Sequence, residues 1–360
     1  MNRSFDYPYF DQWGDGEYLS GNECFDYERF QRSEAGMHLM RARSLMTRFT
    51  DVDDPALLKM WEDMGVRCEV RETKGERWLA FVPKDAYGEC EEQYPVVLIF
   101  RPVDLLAEAF YEHMIHMAAQ GEFIALIFSQ EDMDVNDVFY DMLQEILRDF
   151  PADPTRVYTT GHSHYGEFAM EFTRRHHESI AAIAQQGDTA GIIVGFYGMT
   201  QEKLELMHTY DMPLINVAGT TEMVGIFPVN QEAPGIPEDS YFRRSSFPMT
   251  KERRIKDWQD RLYAMRCPVL SAEEIAAPGR NKVERELGFP CDRTDVLYAE
   301  GSECYIGDIK NVDGNYHFRV VGMENIPHTT CRMMHVFAWS FLRRFRRELE
   351  TGRIIEDFDF

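Results

Sequence analysis

Positive charge is in short supply in this chain. Its 38 Lys and Arg residues are outnumbered by 62 Asp and Glu, for a formal net charge of -24. A general nucleic-acid or anionic-membrane binder is therefore not expected, because both rely on clustered cations. Long apolar runs are missing too. No stretch approaches the roughly 20 apolar residues of a membrane span, and the start, Met-Asn-Arg-Ser-Phe-Asp-Tyr-Pro, lacks the apolar core of a secretory signal. A cytoplasmic protein is the expectation. Closely spaced cysteines are lacking as well: Cys24, Cys68, Cys90, Cys267, Cys291, Cys304 and Cys331 are scattered, with no C-x-x-C pair to suggest zinc or redox chemistry. Free thiols in a reducing compartment are the preferred reading, and a Cys267/Cys291/Cys304 pairing is left for the case of an exported protein. Internal repeats and low-complexity tracts are absent. What remains is a chain of 360 residues, 44% hydrophobic and 13% aromatic, too apolar for disorder and long enough for one large domain or two modest ones.

Residues 1–60 are rich in Asp, Glu, Tyr and Phe, with an amphipathic pattern over Glu34 to Thr50, and are read as an arm packed on the core. From Val66 the texture changes. Val66 to Arg71 and Arg77 to Val82 alternate around Thr73-Lys74-Gly75, which predicts a β-hairpin. Val96-Val97-Leu98-Ile99-Phe100 is a continuous apolar run, as expected for a strand buried on both faces of a parallel sheet. Leu106, Ala109, Phe110, His113 and Met117 then fall at helical spacing, with Gly121 as the stop before Phe123 to Phe128. The alternation continues through a helix over Val138 to Phe150, a strand at Arg156 to Thr160, a helix from Phe168, and strands at Ile180 to Ala184 and Pro213 to Ala218. Such repetition predicts a doubly wound, mostly parallel α/β sheet. Residues 223–293 are interrupted by seven prolines and read as a helical, cap-like insertion over one end of the sheet. The chain returns through Asp295 to Ile309 to a last strand at His317 to Val321. It closes with a helix striped by Met334, Phe337, Phe341 and Phe345, with Arg343-Arg344 and Arg346-Arg347 placed near its C-terminus, where cations suit the dipole.

The most informative segment is Asp153-Pro154-Thr155-Arg156-Val157-Tyr158-Thr159-Thr160-Gly161-His162-Ser163-His164-Tyr165-Gly166. A strand running into Gly161-x-Ser163 and then a helix is the setting of a nucleophile elbow, a tight turn that exposes a serine Oγ and aims a helix N-terminus at the reacting carbon. The competing reading is a Gly-Ser loop in which Ser163 caps the helix. A serine nucleophile needs a base within hydrogen-bond reach and an acid to orient that base. His328 lies in the loop after the last strand, just ahead of the closing helix, and Glu222 lies one tight loop beyond the strand at Pro213. Ser163, Glu222, His328 is the chain order such folds use. Asp188, after the preceding strand, is the alternative acid. His162 and His164 flank the serine too closely to turn easily onto its Oγ and are read as shaping the pocket or packing under it.

These segments resemble the branch of the α/β-hydrolases that holds polyhydroxybutyrate depolymerases and feruloyl-esterase-like enzymes. The resemblance is carried by Tyr94 to Phe100, Asn136 to Gly166, Met212 to Glu222, and Tyr316 to His328 with the closing helix. It covers most of 66–222 and 300–348 and leaves the arm and the insertion unmatched. It implies an α/β-hydrolase domain over 61–360, with Ser163 as nucleophile, His328 as base and Glu222 as acid where the family more often has Asp. Two departures stand out. The family follows the strand at Val96 with a His-Gly-Gly stretch that supplies oxyanion-hole N–H groups, whereas this chain has Arg101-Pro102-Val103, and proline has no N–H. The donors expected here are His164 and Val103. Tyr165 replaces a small residue two places after the serine, which puts the close packing on Gly166.

The function expected is that of a serine esterase working through an acyl-enzyme on a small or aromatic ester, with no metal or organic cofactor. A homo-oligomer is compatible with it. Arg101, His162 and Tyr165 are pocket candidates, although for Arg101 a salt bridge to Asp104 or Glu108 is the preferred reading over pairing with a substrate carboxylate at the pocket mouth. Phe227, Tyr241, Phe242, Phe247 and Trp258 are read either as pocket lining or as the insertion's own core. A catalytically silent hydrolase-like protein that binds partners through arm and insertion is the second reading. A third and weaker one takes His162, His164, His176 and His177 as metal ligands.

Overall fold

The computed structural model describes residues 22–46, 48–49, 51–88, 92–101, 113–129, 136–187, 192–195, 198–222, 226–233, 235–236 and 250–357. Three helices come first: α1 (Tyr27–Arg32), α2 (Glu34–Met46) and α3 (Pro55–Met64). The sheet then begins with β1 (Val66–Thr73) and β2 (Glu76–Pro83) and alternates through β3 (Tyr94–Arg101), α4 (Met114–Ala119), β4 (Ile124–Ser129), α5 (Asn136–Asp149), β5 (Ala152–His162), α6 (His164–Arg175), β6 (Ala182–Gln186), α7 (Gln201–Thr209) and β7 (Leu214–Gly219). Three helices follow, α8 (Lys251–Ala264), α9 (Ala272–Ala276) and α10 (Lys282–Leu287). Strands β8 (Arg293–Ala299), β9 (Ser302–Ile309) and β10 (Phe318–Met323), helix α11 (Arg332–Leu342) and the short strands β11 (Phe345–Arg347) and β12 (Ile354–Glu356) complete the order.

Ten strands form one sheet in the order β1-β2-β4-β3-β5-β6-β7-β10-β9-β8. The six central strands β4, β3, β5, β6, β7 and β10 are parallel throughout, and β2 joins them antiparallel. With a strand–turn–helix at Ser163, this is the α/β-hydrolase fold. The continuous apolar runs of the sequence divide cleanly between the two faces. Val96, Leu98 and Phe100 enter one core with Ile124, Leu126 and Phe128, while Val97 and Ile99 enter the other with Ala125 and Ile127. Period-2 alternation with both faces covered explains why polar residues are missing from these strands. Helices α5, α6, α7 and α8 cover the first face. Helices α1, α2, α3, α4 and α11 cover the second, so residues of the N-terminal helices such as Phe30, Leu39 and Trp61 share a core with Phe337 and Phe341 of the closing helix.

The predicted hairpin is present, with Lys74 at φ 53° and Gly75 at φ 89°. Positive φ at both central residues gives the mirror-image turn that matches strand twist. The helix expected from Leu106 is described only from Met114 onward, and the helix over Glu34 to Thr50 as far as Met46. The stretch from Asp295 to Ile309 is more than a return, since β8 and β9 form an antiparallel hairpin that extends the sheet beyond β10.

The closing basic cluster needs correction. Helix α11 ends at Leu342, and Phe345, Arg346 and Arg347 lie in β11. Arg343 and Arg344 do follow the helix end directly, but Arg346 and Arg347 belong to the strand, and the cations also meet acceptors: Arg346 shares Asp357 with Arg156 of β5, Arg344 pairs with Glu356, and the buried Arg347 donates to the carbonyls of Ile180 and Asp211. A buried guanidinium requires such satisfied geometry, because an unpaired one would carry its full desolvation cost. The six described cysteines are free thiols, which removes the Cys267/Cys291/Cys304 pairing. Cys90 lies outside the described residues. Among the described residues no helix is long and apolar enough to cross a membrane.

Candidate active site

Strand β5 is buried between β3 and β6 and delivers Ser163 at its C-terminal end, where α6 begins. Ser163 has φ 55° and ψ -136° and makes no capping bond to the helix. That excludes the capping role. The conformation is one a Cβ-bearing residue adopts at a cost of about 1–3 kcal/mol, held only when the surroundings over-determine it. Here the Ser163 N–H donates to the Gln186 carbonyl at 2.9 Å and the Gly166 N–H donates back to the Ser163 carbonyl at 2.9 Å. The turn closes tightly on Gly161. A Cβ at Gly161 would sit 2.2 Å from the Tyr165 carbonyl oxygen and 2.8 Å from the Gly166 nitrogen, so a close backbone approach also falls two places before the serine. Both obstacles are backbone. Gly161→Ala is expected to lower stability by about 3 kcal/mol, read as a lower denaturant midpoint at unchanged m-value.

Three side chains distant in sequence converge at this turn. Ser163 Oγ lies 2.7 Å from His328 Nε2, and His328 Nδ1 lies 2.5 Å from Glu222 Oε2. Glu222 is wholly buried, and its other oxygen accepts the Gly219 N–H at 3.4 Å. Burial raises the Glu222 carboxyl above its ordinary range, against the pull of the neighbouring imidazole. A carboxylate only accepts, so it orders the ring with the proton on Nδ1 and the Nε2 lone pair toward the serine hydroxyl.

The loops bearing the acid and the base are stitched to each other. The Thr220 N–H donates to Met323 O at 2.8 Å, Thr221 Oγ1 donates to Ile326 O at 2.9 Å, and the Asn325 N–H donates to Thr220 Oγ1 at 3.2 Å. Beneath the pair, the His162 ring lies 4.7 Å from the His328 ring, centroid to centroid. Gly187 makes room for it, since a Cβ there would meet His162 Nε2 at 2.8 Å and Glu222 Oε1 at 3.2 Å. The helix side of the site is fixed by His164, whose Nδ1 lies 2.9 Å from the buried Glu167 carboxylate. Partial burial draws the His164 imidazole below its ordinary pKa. Its main-chain N–H opens α6, a position with no carbonyl four residues behind it inside the helix. Tyr165 is half-buried and packs on Phe168.

Asp188, Val103, and the salt-bridge partners Asp104 and Glu108 lie outside the described residues, as do Tyr241, Phe242, Phe247 and the Arg101 side chain. Phe227 and Trp258 are buried in the core of the sheet, Trp258 stacking on Phe289 at 4.0 Å, so these two belong neither to a pocket nor to a separate small core. The four imidazoles of the metal reading are dispersed: His176 stacks on Tyr140 and His177 on Tyr210, and no three His, Cys, Asp or Glu among the described residues come together to hold an ion. Asn22, Gly187 and Asn325 around the acid and base carry no sequence signal beyond that of a loop asparagine or glycine.

No protein-family model matches the sequence, and no curated protein matches it. Among solved structures, the chain is similar to an acetyl xylan esterase from Aspergillus awamori at 9% identity, over 77% of this chain and 99% of that one, with a TM-score of 0.46. It is similar to a ferulic acid esterase at 12% identity, over 55% and 85% of the two chains, with a TM-score of 0.36. The likeness to a thermostable esterase, at 15% identity and a TM-score of 0.32, covers 43% of this chain and spans only about half, 47%, of that one. The fold assignment rests on the strand order and the turn at Ser163, and these are likenesses beside it.

Proposed function

We propose that the chain is a serine hydrolase that cleaves carboxylic esters through an acyl-enzyme. The observation that carries this reading is the continuous path Ser163 Oγ, His328 Nε2, His328 Nδ1, Glu222 Oε2, with steps of 2.7 and 2.5 Å, at a serine held at positive φ on a strand–helix turn. A core-packing or capping serine has no need of that conformation or of an oriented imidazole.

In the reaction, Ser163 Oγ attacks the ester carbonyl while His328 Nε2 takes its proton. The buried carboxylate of Glu222 stabilises the imidazolium so formed. Charge on the tetrahedral oxygen is met by the N–H of His164, with the N–H of Val103 proposed as its partner. His328 returns the proton to the departing alcohol. A water molecule, activated by the same imidazole, then releases the acid and restores Ser163. The half-buried ring of Tyr165 and the His164–Glu167 pair flank the turn, a setting suited to a neutral or weakly charged acyl group. The test is direct. Wild-type protein is expected to be labelled by a fluorophosphonate at Ser163 and to hydrolyse p-nitrophenyl acetate, with no labelling in Ser163→Ala. A wild type that resists the probe and leaves the ester intact would overturn the proposal.

A further inference from the structure

The N-terminal segment 22–29 is unmatched by the family resemblance, yet it touches the loops of both the acid and the base. Asn22 is buried, and its Nδ2 donates to the main-chain carbonyl of Glu222 itself at 3.2 Å, while its Oδ1 accepts the Cys24 N–H at 2.9 Å. Three residues before His328, Asn325 sits at φ 54° and turns its amide onto the backbone of Asp26. Asn325 Oδ1 accepts the Asp26 N–H at 2.8 Å and its Nδ2 donates to the Asp26 carbonyl at 2.9 Å, a two-point pairing like one rung of a β-ladder. Next to it, the Arg29 guanidinium forks onto Glu324, with Nη1 to Oε1 at 2.9 Å and Nη2 to Oε2 at 2.8 Å. The same Asn325 offers its own N–H to Thr220, so the arm, the base loop and the acid loop meet at one residue.

We infer that this segment is a catalytic brace, in which Asn325 and Asn22 are positioning residues that hold the His328 and Glu222 loops in register through the backbone of Asp26 and Glu222. The inference rests on the proposed roles of His328 and Glu222. A loop whose final residues carry the base has little to fix it except its stitches, and asparagine is a residue that can take positive φ and still aim a two-point amide at a neighbouring backbone. Removing the rung lets the His328 ring drift by a fraction of an ångström from both partners, whereas substrate contacts around Ser163 and α6 stay in place.

Asn325→Gly separates the brace from mere backbone comfort, because glycine keeps φ 54° without strain and deletes both bonds to Asp26. It is expected to lower kcat on p-nitrophenyl acetate by about 10- to 100-fold, as misplacement of a catalytic group does, with KM changed by less than about 2-fold. It should also weaken or shift the downfield proton resonance of His328 Nδ1–H, a signal assigned by its loss in His328→Ala. Arg29→Glu, an exposed change that turns the fork into a repulsion and leaves the core untouched, should move the same two readouts by a smaller factor, about 3-fold in kcat. Wild-type kcat and an unmoved resonance in Asn325→Gly would overturn the brace, as would an equal loss in kcat and rise in KM. The two proposals fail separately. A wild type inert toward esters and probe sinks the hydrolase reading, while the imidazole resonance still decides whether Asn325 holds His328 against Glu222.

Discussion

Ser163→Ala is expected to lower kcat on p-nitrophenyl acetate by about 10⁶-fold, leaving KM near its wild-type value. Alanine removes the oxygen that forms the acyl bond and nothing else: the N–H of His164 and the packing of Tyr165 on Phe168 persist. Residual turnover would then reflect binding and backbone donors alone. The companion substitution reads the strain. Ser163 holds a Cβ at φ 55° and ψ -136°; alanine keeps that Cβ and glycine removes it. Ser163→Gly is therefore expected to be more stable than Ser163→Ala by about 1 kcal/mol, measured as the difference between their denaturant midpoints. Equal stability of the two would mean that the turn is comfortable and that its geometry serves no exposed nucleophile. Comparable kcat in wild type and Ser163→Ala would remove Ser163 from the chemistry.

Much of this arrangement is legible in the sequence, for physical reasons that also mark where legibility ends. Strands β3 and β4 announce themselves because burial on both faces demands unbroken apolar runs. Strand β8 does not, because it is an exposed edge: Val296, Leu297 and Tyr298 stand in solvent, so its sequence shows no inside–outside alternation. The cations after α11 look like helix-terminal charges until β11 places them against Asp357 and Glu356, a contact between segments that sequence spacing cannot reveal. At the site, Ser163, Glu222 and His328 are picked out by strand–turn context and chain order, and His328 lies within hydrogen-bond distance of both of the others. The partners that fix them are invisible in the sequence. Asn22 reaches Glu222 across 200 residues and Asn325 reaches Asp26 across 299, and loop asparagines at such separations carry no pattern at all. Gly187 is similar: its φ of 58° and the His162 ring and Glu222 carboxylate closing on it give its missing Cβ a meaning that sequence alone does not carry.

Glu222→Gln should separate catalysis from stability in opposite directions. The glutamine amide fills the same volume, yet it turns an N–H donor toward His328 Nδ1, so the ring takes its proton on Nε2 and can no longer accept the one from Ser163. A wrong tautomer in otherwise intact geometry costs about 10⁴-fold in kcat, and the imidazolium of the transition state loses its buried counter-charge as well. Stability runs the other way. Burial raises the Glu222 carboxyl in the folded state, so its contribution to stability is present in full at acid pH and is lost as pH climbs from the unfolded value through the folded one, levelling above it. Glutamine does not titrate. The melting temperature of Glu222→Gln relative to wild type is thus expected to rise across that interval and stay higher at neutral pH, while the two proteins converge in acid. A variant both inactive and less stable at neutral pH would show instead that the charged pair with His328 outweighs the desolvation of the carboxylate, and that Glu222 holds the loop together by being ionised.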